Sequence, residues 1–290
     1  MNEIKANPNA DKIIGVDIGG TKISAGLVQD GKILNSIKIE TPPNGNMEDI
    51  INSIVTAINF VTVDDIKSIG VGVPGLVNTD KGIVYDVHNI PSFVDVPLKE
   101  ILEKRLDKTV FVNNDANCFA LGTKNYGYGK KYKNLVGLTL GTGLGGGIVI
   151  NNCLYEGVGC GAGELGFIPY RDGNLENYCS GQFFKKEYGI SGEDANILAG
   201  KGDLQAIEMY KQFGNHLGEA IKIIAYTFAP EAVMLGGAIS RNFNIFEESM
   251  WNTLRRFPYK HVIDNLHIMP AINPDIAIVG AACLIKAVHK

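Results

Sequence analysis

Short apolar stretches broken by glycine-rich turns open the chain. IIGVDIGG (13–20) runs apolar and ends in glycines, which predicts a buried strand and a tight turn. KISAGLV (22–28) predicts a second strand, Asp30-Gly31 a hairpin turn, and KILNSIKIE (32–40) the returning strand. Residues 47–61 place Ile50, Ile51, Ile54, Val55 and Ile58 at helical spacing. SIGVGVPG (68–75) predicts a strand and a turn, and VFVNND (110–115) a strand running into polar residues. Three strands followed by alternating helix and strand predict an α/β layout, a mixed sheet with covering helices.

The next part of the chain repeats the first. Shifted by 122, residues 14–34 lie without gaps on 136–156. Glycines coincide at 15/137 and 19/141, and apolar residues at 14/136, 16/138, 18/140, 27/149 and 28/150. The turns Asp30-Gly31 and Asn152-Cys153 coincide as well. Similar strand–glycine–strand hairpins arise by chance, but turn spacing and apolar register agree together here, which favours duplication. Two similar domains facing each other leave a cleft, the usual place for a ligand. Beyond it, 157–181 reads as loop, 203–228 as a long helix ended by Pro230, and 232–235 as a strand turned by Gly236-Gly237. Residues 276–288 are expected to begin as a strand and end as a helix.

Glycine is in excess: 35 of 290 residues, where the usual ~7% would give about 20. Its clustering points to sites rather than disorder. The net charge of −4 argues against a DNA-coating or polybasic membrane surface. The five cysteines form no CxxC, so neither a disulfide framework nor a CxxC zinc site is expected. No apolar run reaches the ~18 residues of a membrane span, and the polar start MNEIKANPNADK lacks a signal-peptide core. The expectation is a reduced, soluble, cytoplasmic protein.

LGTGLGGG (140–147) satisfies GxGxxG through Gly141, Gly143 and Gly146. A dinucleotide fingerprint needs a helix next, and IVI continues as a strand, so the Rossmann reading fails. The partner motifs of protein kinases and the P-loop are both absent. A strand–turn–strand with few side chains remains, whose backbone N–H groups can approach an anion closely. DIGGTK (17–22) repeats that turn beside Asp17, Thr21 and Lys22. Asp17 can position Mg²⁺ through water, and Thr21 can bond a phosphate. Glycines also simply permit tight hairpins. Two matching turns, with Gly236-Gly237 ending a third strand, favour a nucleoside triphosphate between two lobes.

DIGGTK, LGTGLGGG and MLGGAIS (234–240) resemble the two phosphate motifs and the adenosine motif of the sugar kinase and actin superfamily. NNDANCFALG (113–122) and GAGELGF (161–167) are similar to motifs of the ROK family (repressor, open reading frame, kinase), and the likeness spans about 13–285. It implies two RNase-H-like domains, here 1–116 and 117–277, with a helix at about 278–290 packing back on the first. It also implies Mg·ATP in the cleft and phosphorylation of a hexose 6-hydroxyl: glucose, N-acetylglucosamine or N-acetylmannosamine ahead of fructose. By the same resemblance Asp115 is the catalytic base, and Gly75, Asn89, Asn114, Glu164 and Glu176 join it around the sugar. Gly19, Gly20, Thr21, Lys22, Gly141, Thr142, Gly143 and Gly145 are placed at the phosphates, Gly236 and Gly237 at the adenosine, and Asp17 at the Mg²⁺. A homodimer is implied too, and neither a nucleic-acid nor a membrane partner.

Without the motif, Asp115 would read as the N-cap of a helix over 116–126. The chain also departs from the family. Phe167 stands where many members carry a histidine, and RDGNLENYCSG (171–181) keeps only Cys179 of a cysteine-rich loop. A tetrahedral structural zinc needs four ligands, so none is expected, with Phe167 and the shortened loop packing in its place. His88 reads as a loop residue and His216 as structural; Arg241 could meet adenine or solvent. The family's repressor branch carries a winged helix-turn-helix before this part. Only 16 residues precede Asp17, so a kinase is expected instead, with a non-catalytic sugar sensor as the alternative.

Overall fold

Val, Ile and Leu crowd the runs that the computed structural model pairs into sheets; it describes residues 10–42, 45–85, 87 and 90–287. Strands β1 (Lys12–Ile18), β2 (Lys22–Gln29) and β3 (Lys32–Glu40) form an antiparallel meander. Helix α1 (Met47–Val61) leads to β4 (Ser68–Val73), and α2 (Leu98–Leu106) to β5 (Thr109–Asn114). Both strands run parallel to β1, giving the order β3-β2-β1-β4-β5. Asn46 starts α1 with a full capping box, and the apolar stripe read from the sequence is its buried face.

Helix α3 (Asp115–Tyr126) leaves the first sheet and the pattern begins again. Strands β6 (Leu135–Leu140), β7 (Leu144–Ile150) and β8 (Cys153–Tyr155) form a second meander. Then come α4 (Leu175–Cys179), α5 (Gly181–Tyr188), α6 (Leu204–Phe228), β9 (Ala232–Gly236), α7 (Phe243–Leu254), β10 (His267–Pro270) and α8 (Ile276–Ala282). The order β8-β7-β6-β9-β10 repeats the first sheet, direction for direction. The molecule thus contains two RNase-H-like α/β domains.

Superposition of the two meanders corrects the gapless repeat by one residue. Ile18 pairs with Ile23 across four turn residues, but Leu140 pairs with Leu144 across three. The offset of 122 holds for β1 and β6, while the second and third strands follow 121. The partner of Asp30-Gly31 is therefore Asn151-Asn152, not Asn152-Cys153. All four of these turn residues have positive φ, as a two-residue hairpin of this type requires.

Residues 276–282 are helical throughout, against the expected initial strand. β10 already closes the second sheet, and a short apolar run has the same periodicity in a buried helix as in a buried strand. Helix α8 crosses back onto the first sheet, where Gly15 and Gly70 leave room for its carbonyls at Ile278 and Ala281. Helix α3 crosses the other way, against Gly137 and Gly147 of the second sheet. The two helices meet through Gly122 and Gly280, each beside a carbonyl of the other helix. A side chain at either glycine would push the crossing apart. Among the described residues no helix is long and apolar enough to cross a membrane.

Candidate active site

The carboxyl ends of the central strands of both sheets open on one crevice, where open α/β sheets place their ligands. It contains a cavity of about 330 Å³ lined by Asp17 from β1, Asp115 from α3, Thr139 from β6, Gly236-Gly237 from β9 and Arg241 at the rim. The structure thus brings together Asp17, Asp115 and the third glycine pair from distant parts of the chain.

Asn114, not Asp115, caps α3. Its Oδ1 accepts from the backbone N–H groups of Ala116 (2.9 Å) and Asn117 (3.2 Å). Its Nδ2 donates to the Gly75 carbonyl at 3.1 Å, and Gly75 itself sits at φ +86°. Asp115 is thereby the first helical residue, free of capping, and its Oδ1 accepts from Ala116 N–H at 2.9 Å. Burial raises the pKa of Asp115, and the backbone hydrogen bond moderates that rise. Asp17 is pushed from 3.8 to about 7, first by burial, then by the charge of Asp115. Lys38 pulls it back down, but that ammonium already bonds the Asp275 carboxylate at 2.6 Å.

The two glycine turns have different supports. In the first, Gly19 N–H donates to Lys22 O (2.8 Å), and buried Thr41 holds Gly19 O through its hydroxyl (2.7 Å). In the second, Gly141 N–H donates to Gly143 O (3.1 Å), and Gly141 O accepts from Gly181 N–H (2.7 Å). Glu176 lies behind this turn. Its Oε2 accepts from Leu144 N–H (3.0 Å) and its Oε1 from Gln182 Nε2 (2.7 Å). One oxygen of Glu176 therefore holds the end of the phosphate-type turn and the other holds Gln182 of α5, contacts that the sequence motif did not indicate. Thr41 was missed as well, because a lone threonine after a strand carries no signal.

Among the described residues, the backbone N–H groups of Gly20, Thr21, Thr142 and Gly143 have no backbone partner outside helices and strands. Thr21, Lys22 and Thr142 expose their side chains beside them. A Cβ built on Gly141 would meet no protein atom within 4 Å, so that face of the turn is open. Gly145 lies within β7 rather than in the turn, against Thr139 and Ala116. Gly236 makes room for the Phe119 ring, and Gly237 turns the chain at φ +83° against the Leu140 carbonyl.

Glu164 is half-buried at the start of a short turn of helix over Leu165–Phe167. Asn89 and His88 lie outside the described residues. Phe167 is 56% exposed, so it does not pack inward as expected. Buried Leu175, Tyr178 and Cys179 fill that region with the rings of Tyr170, Phe183 and His216. His216 Nδ1 lies 3.1 Å from the Tyr170 hydroxyl, and burial lowers its pKa to about 4. No group of three or more His, Cys, Asp or Glu among the described residues is arranged to hold a metal ion.

The family model described as the ROK family matches residues 13–288. A glucokinase of Thermotoga maritima is 34% identical to the chain, covering 95% of it and 97% of the relative. An N-acetyl-D-glucosamine kinase of Haemophilus influenzae is 32% identical, over 81% of the chain and 86% of the relative. Among solved structures, a ROK family glucokinase from Streptomyces griseus in complex with glucose and AMPPNP matches with a TM-score of 0.83. It is 30% identical and covers 94% of this chain and 99% of that one. With the duplicated fold and the crevice already described, the match over nearly the full length makes this chain a member of the ROK family.

Proposed function

We propose that this protein is an ATP-dependent sugar kinase that transfers the γ-phosphoryl group of ATP to the 6-hydroxyl of a hexose. The observation that carries the reading is Asp115: a carboxyl of raised pKa, released from capping by Asn114, facing a cavity shared with Asp17 and the Gly236-Gly237 turn. Such a carboxylate can take the hydroxyl proton as the oxygen attacks in line. Gly20, Thr21, Thr142 and Gly143 offer N–H groups to the phosphates, and Gly236-Gly237 bound the adenosine end. Gly75, Asn89, Asn114 and Glu164 surround the sugar in this reading. Glu176 supports it from behind the second turn.

The crowding of Asp17 and Asp115 fits a divalent cation, which would relieve their repulsion. Two carboxyls with room for water suit Mg²⁺, an ion that keeps several waters. Asp17 would hold it through water, and Mg²⁺ would supply charge neutralisation between the phosphates. Lobes 1–116 and 117–277, with helix α8 moving with the first, would close to exclude water from the phosphoryl group. A homodimer in the cytoplasm, where ATP is supplied, completes the proposal.

The substrates we favour are glucose and N-acetylglucosamine, on the names of the relatives, and N-acetylmannosamine beside them. The test is coupled ADP release with Mg·ATP across these sugars, mannose and fructose, for wild type and Asp115→Asn. Sugar-dependent release in wild type that falls by at least about a hundredfold in the variant supports the base. Sugar binding without release from wild type overturns the kinase reading in favour of a sensor. Light scattering of the purified protein decides the dimer.

A further inference from the structure

Asn113 precedes the Asn114–Asp115 turn and takes no part in the chemistry above. Its side chain is buried, only 3% exposed, and every polar atom on it is engaged. Three donors converge on its Oδ1: Asn114 N–H at 2.8 Å, Asn117 Nδ2 at 3.0 Å and the Cys160 thiol at 3.3 Å. Its Nδ2 donates to Glu156 Oε1 at 2.5 Å. The second oxygen of Glu156 accepts from the Thr79 hydroxyl at 3.4 Å.

Asn113 and Thr79 belong to the first lobe. Glu156 and Cys160 belong to the second, in the segment that leaves β8 and leads to Glu164. One amide therefore joins the strand end that carries Asp115 to the segment that carries Glu164. We propose that Glu156 is a positioning residue of the site: it anchors and orients the Asn113 amide, and through it sets the N-terminus of α3 against the second lobe. The inference rests on Asp115 being the base.

The chemistry of the amide gives the reason. Its oxygen only accepts and its nitrogen only donates. Three donors demand the oxygen on one side, and the acceptor-only carboxylate demands the nitrogen on the other. Glu156 and the donors thus select the same one of two similar-shaped orientations. A cavity of about 400 Å³ lined by Thr79, Lys99, Asn113 and Glu156 opens beside the pair, while Cys160 of the same segment is buried in the hydrophobic core of the first lobe. Cys160 is held at φ +58°, a backbone region that residues other than glycine rarely occupy, which shows how closely this segment is constrained.

The test is the series Glu156→Gln, Glu156→Ala and Glu156→Lys. Glutamine keeps an acceptor oxygen for Asn113 and should retain kcat within about threefold of wild type. Alanine should lower kcat about tenfold to a hundredfold, the scale of a misplacement near 1 Å, with KM for ATP unchanged. Lysine presents donors where an acceptor is needed and should fall below alanine. Amide exchange measured by NMR should speed up at Asn114 and Asn117 in the alanine and lysine variants, but not in glutamine. Exchange needs no turnover, so it separates this inference from the kinase reading. Alanine with wild-type kcat and exchange overturns the proposal. Glutamine and lysine that behave alike overturn it too, even should the alanine variant not fold.

Discussion

Asp17→Asn removes one of two crowded carboxyls without changing its shape. Asp17 is raised from 3.8 to about 7 in the folded protein without ligands. Folded Asp17 therefore keeps its proton over a range in which the unfolded chain has lost it. That contributes stability fully present below pH 3.8 and lost as pH rises through about 7. At about 1.4 kcal/mol per pKa unit, the full effect is about 4 kcal/mol. Between about pH 8.5 and about pH 5 the change is about 3 kcal/mol, and the partial exposure of Asp17 reduces it toward about 1. Asparagine does not titrate. Urea unfolding of both proteins, free of nucleotide and metal, should show wild type gaining about 1–3 kcal/mol on the variant as pH is lowered across that range. Mg·ATP at about pH 8.5 should stabilise wild type more than the variant, because the cation offsets the repulsion. A stability difference that does not change with pH would falsify the raised pKa of Asp17.

Gly141→Ala meets no protein atom, so stability should hold or rise by about 0.4–1 kcal/mol, while KM for ATP rises about tenfold or more as the methyl displaces a phosphate; a thermal melt and a KM titration check both, and an unchanged KM refutes the open-face argument. Glu176→Gln should raise KM for ATP more than KM for sugar, since one carboxylate oxygen holds the end of the second turn at Leu144 N–H and the other holds Gln182 behind it; the reverse split would make Glu176 a sugar contact instead. Turnover should fall as pH drops through the raised pKa of Asp115, because the base must be deprotonated; a pH–rate profile with no acid limb contradicts that role. EDTA should leave the melting temperature of the ligand-free protein unchanged, since Cys179 is buried among rings rather than poised for zinc; a drop on chelation refutes it.

Much of the site was legible in short motifs. DIGGTK and LGTGLGGG are contiguous turns, and their chemistry resides in backbone that glycine alone leaves bare. Asp115 was expected as the base by resemblance, but its neighbour's part as the cap was not expected. Only the φ and ψ of Asn114 show that it, one residue earlier, supplies the cap. Glu176 was expected beside the sugar by resemblance; what the sequence did not show is that its oxygens accept from Leu144 N–H and Gln182. Sequence distance hides such a contact, since the partners are brought together only when α4 docks behind the turn. The inward packing expected of Phe167 failed for a related reason: an apolar residue signals burial on average, and local crowding decides the particular case.

By itself the sequence determined the strands, their α/β succession and the repeat, because apolar period and glycine turns act within a few residues. It also raised the expectation that the glycine turns and Asp17 serve a phosphate and its cation. Tertiary structure decided the rest. The one-residue difference between the two meanders comes from turn closure, which pairing alone reveals. The identity of 276–282 as helix follows from where β10 ends and which sheet receives α8. The raised pKa values of Asp17 and Asp115 come first from burial, which only the folded protein provides, and for Asp17 also from the charge of Asp115, nearly a hundred residues away in the chain. Charge and desolvation act through space, and no local pattern in the chain records that distance.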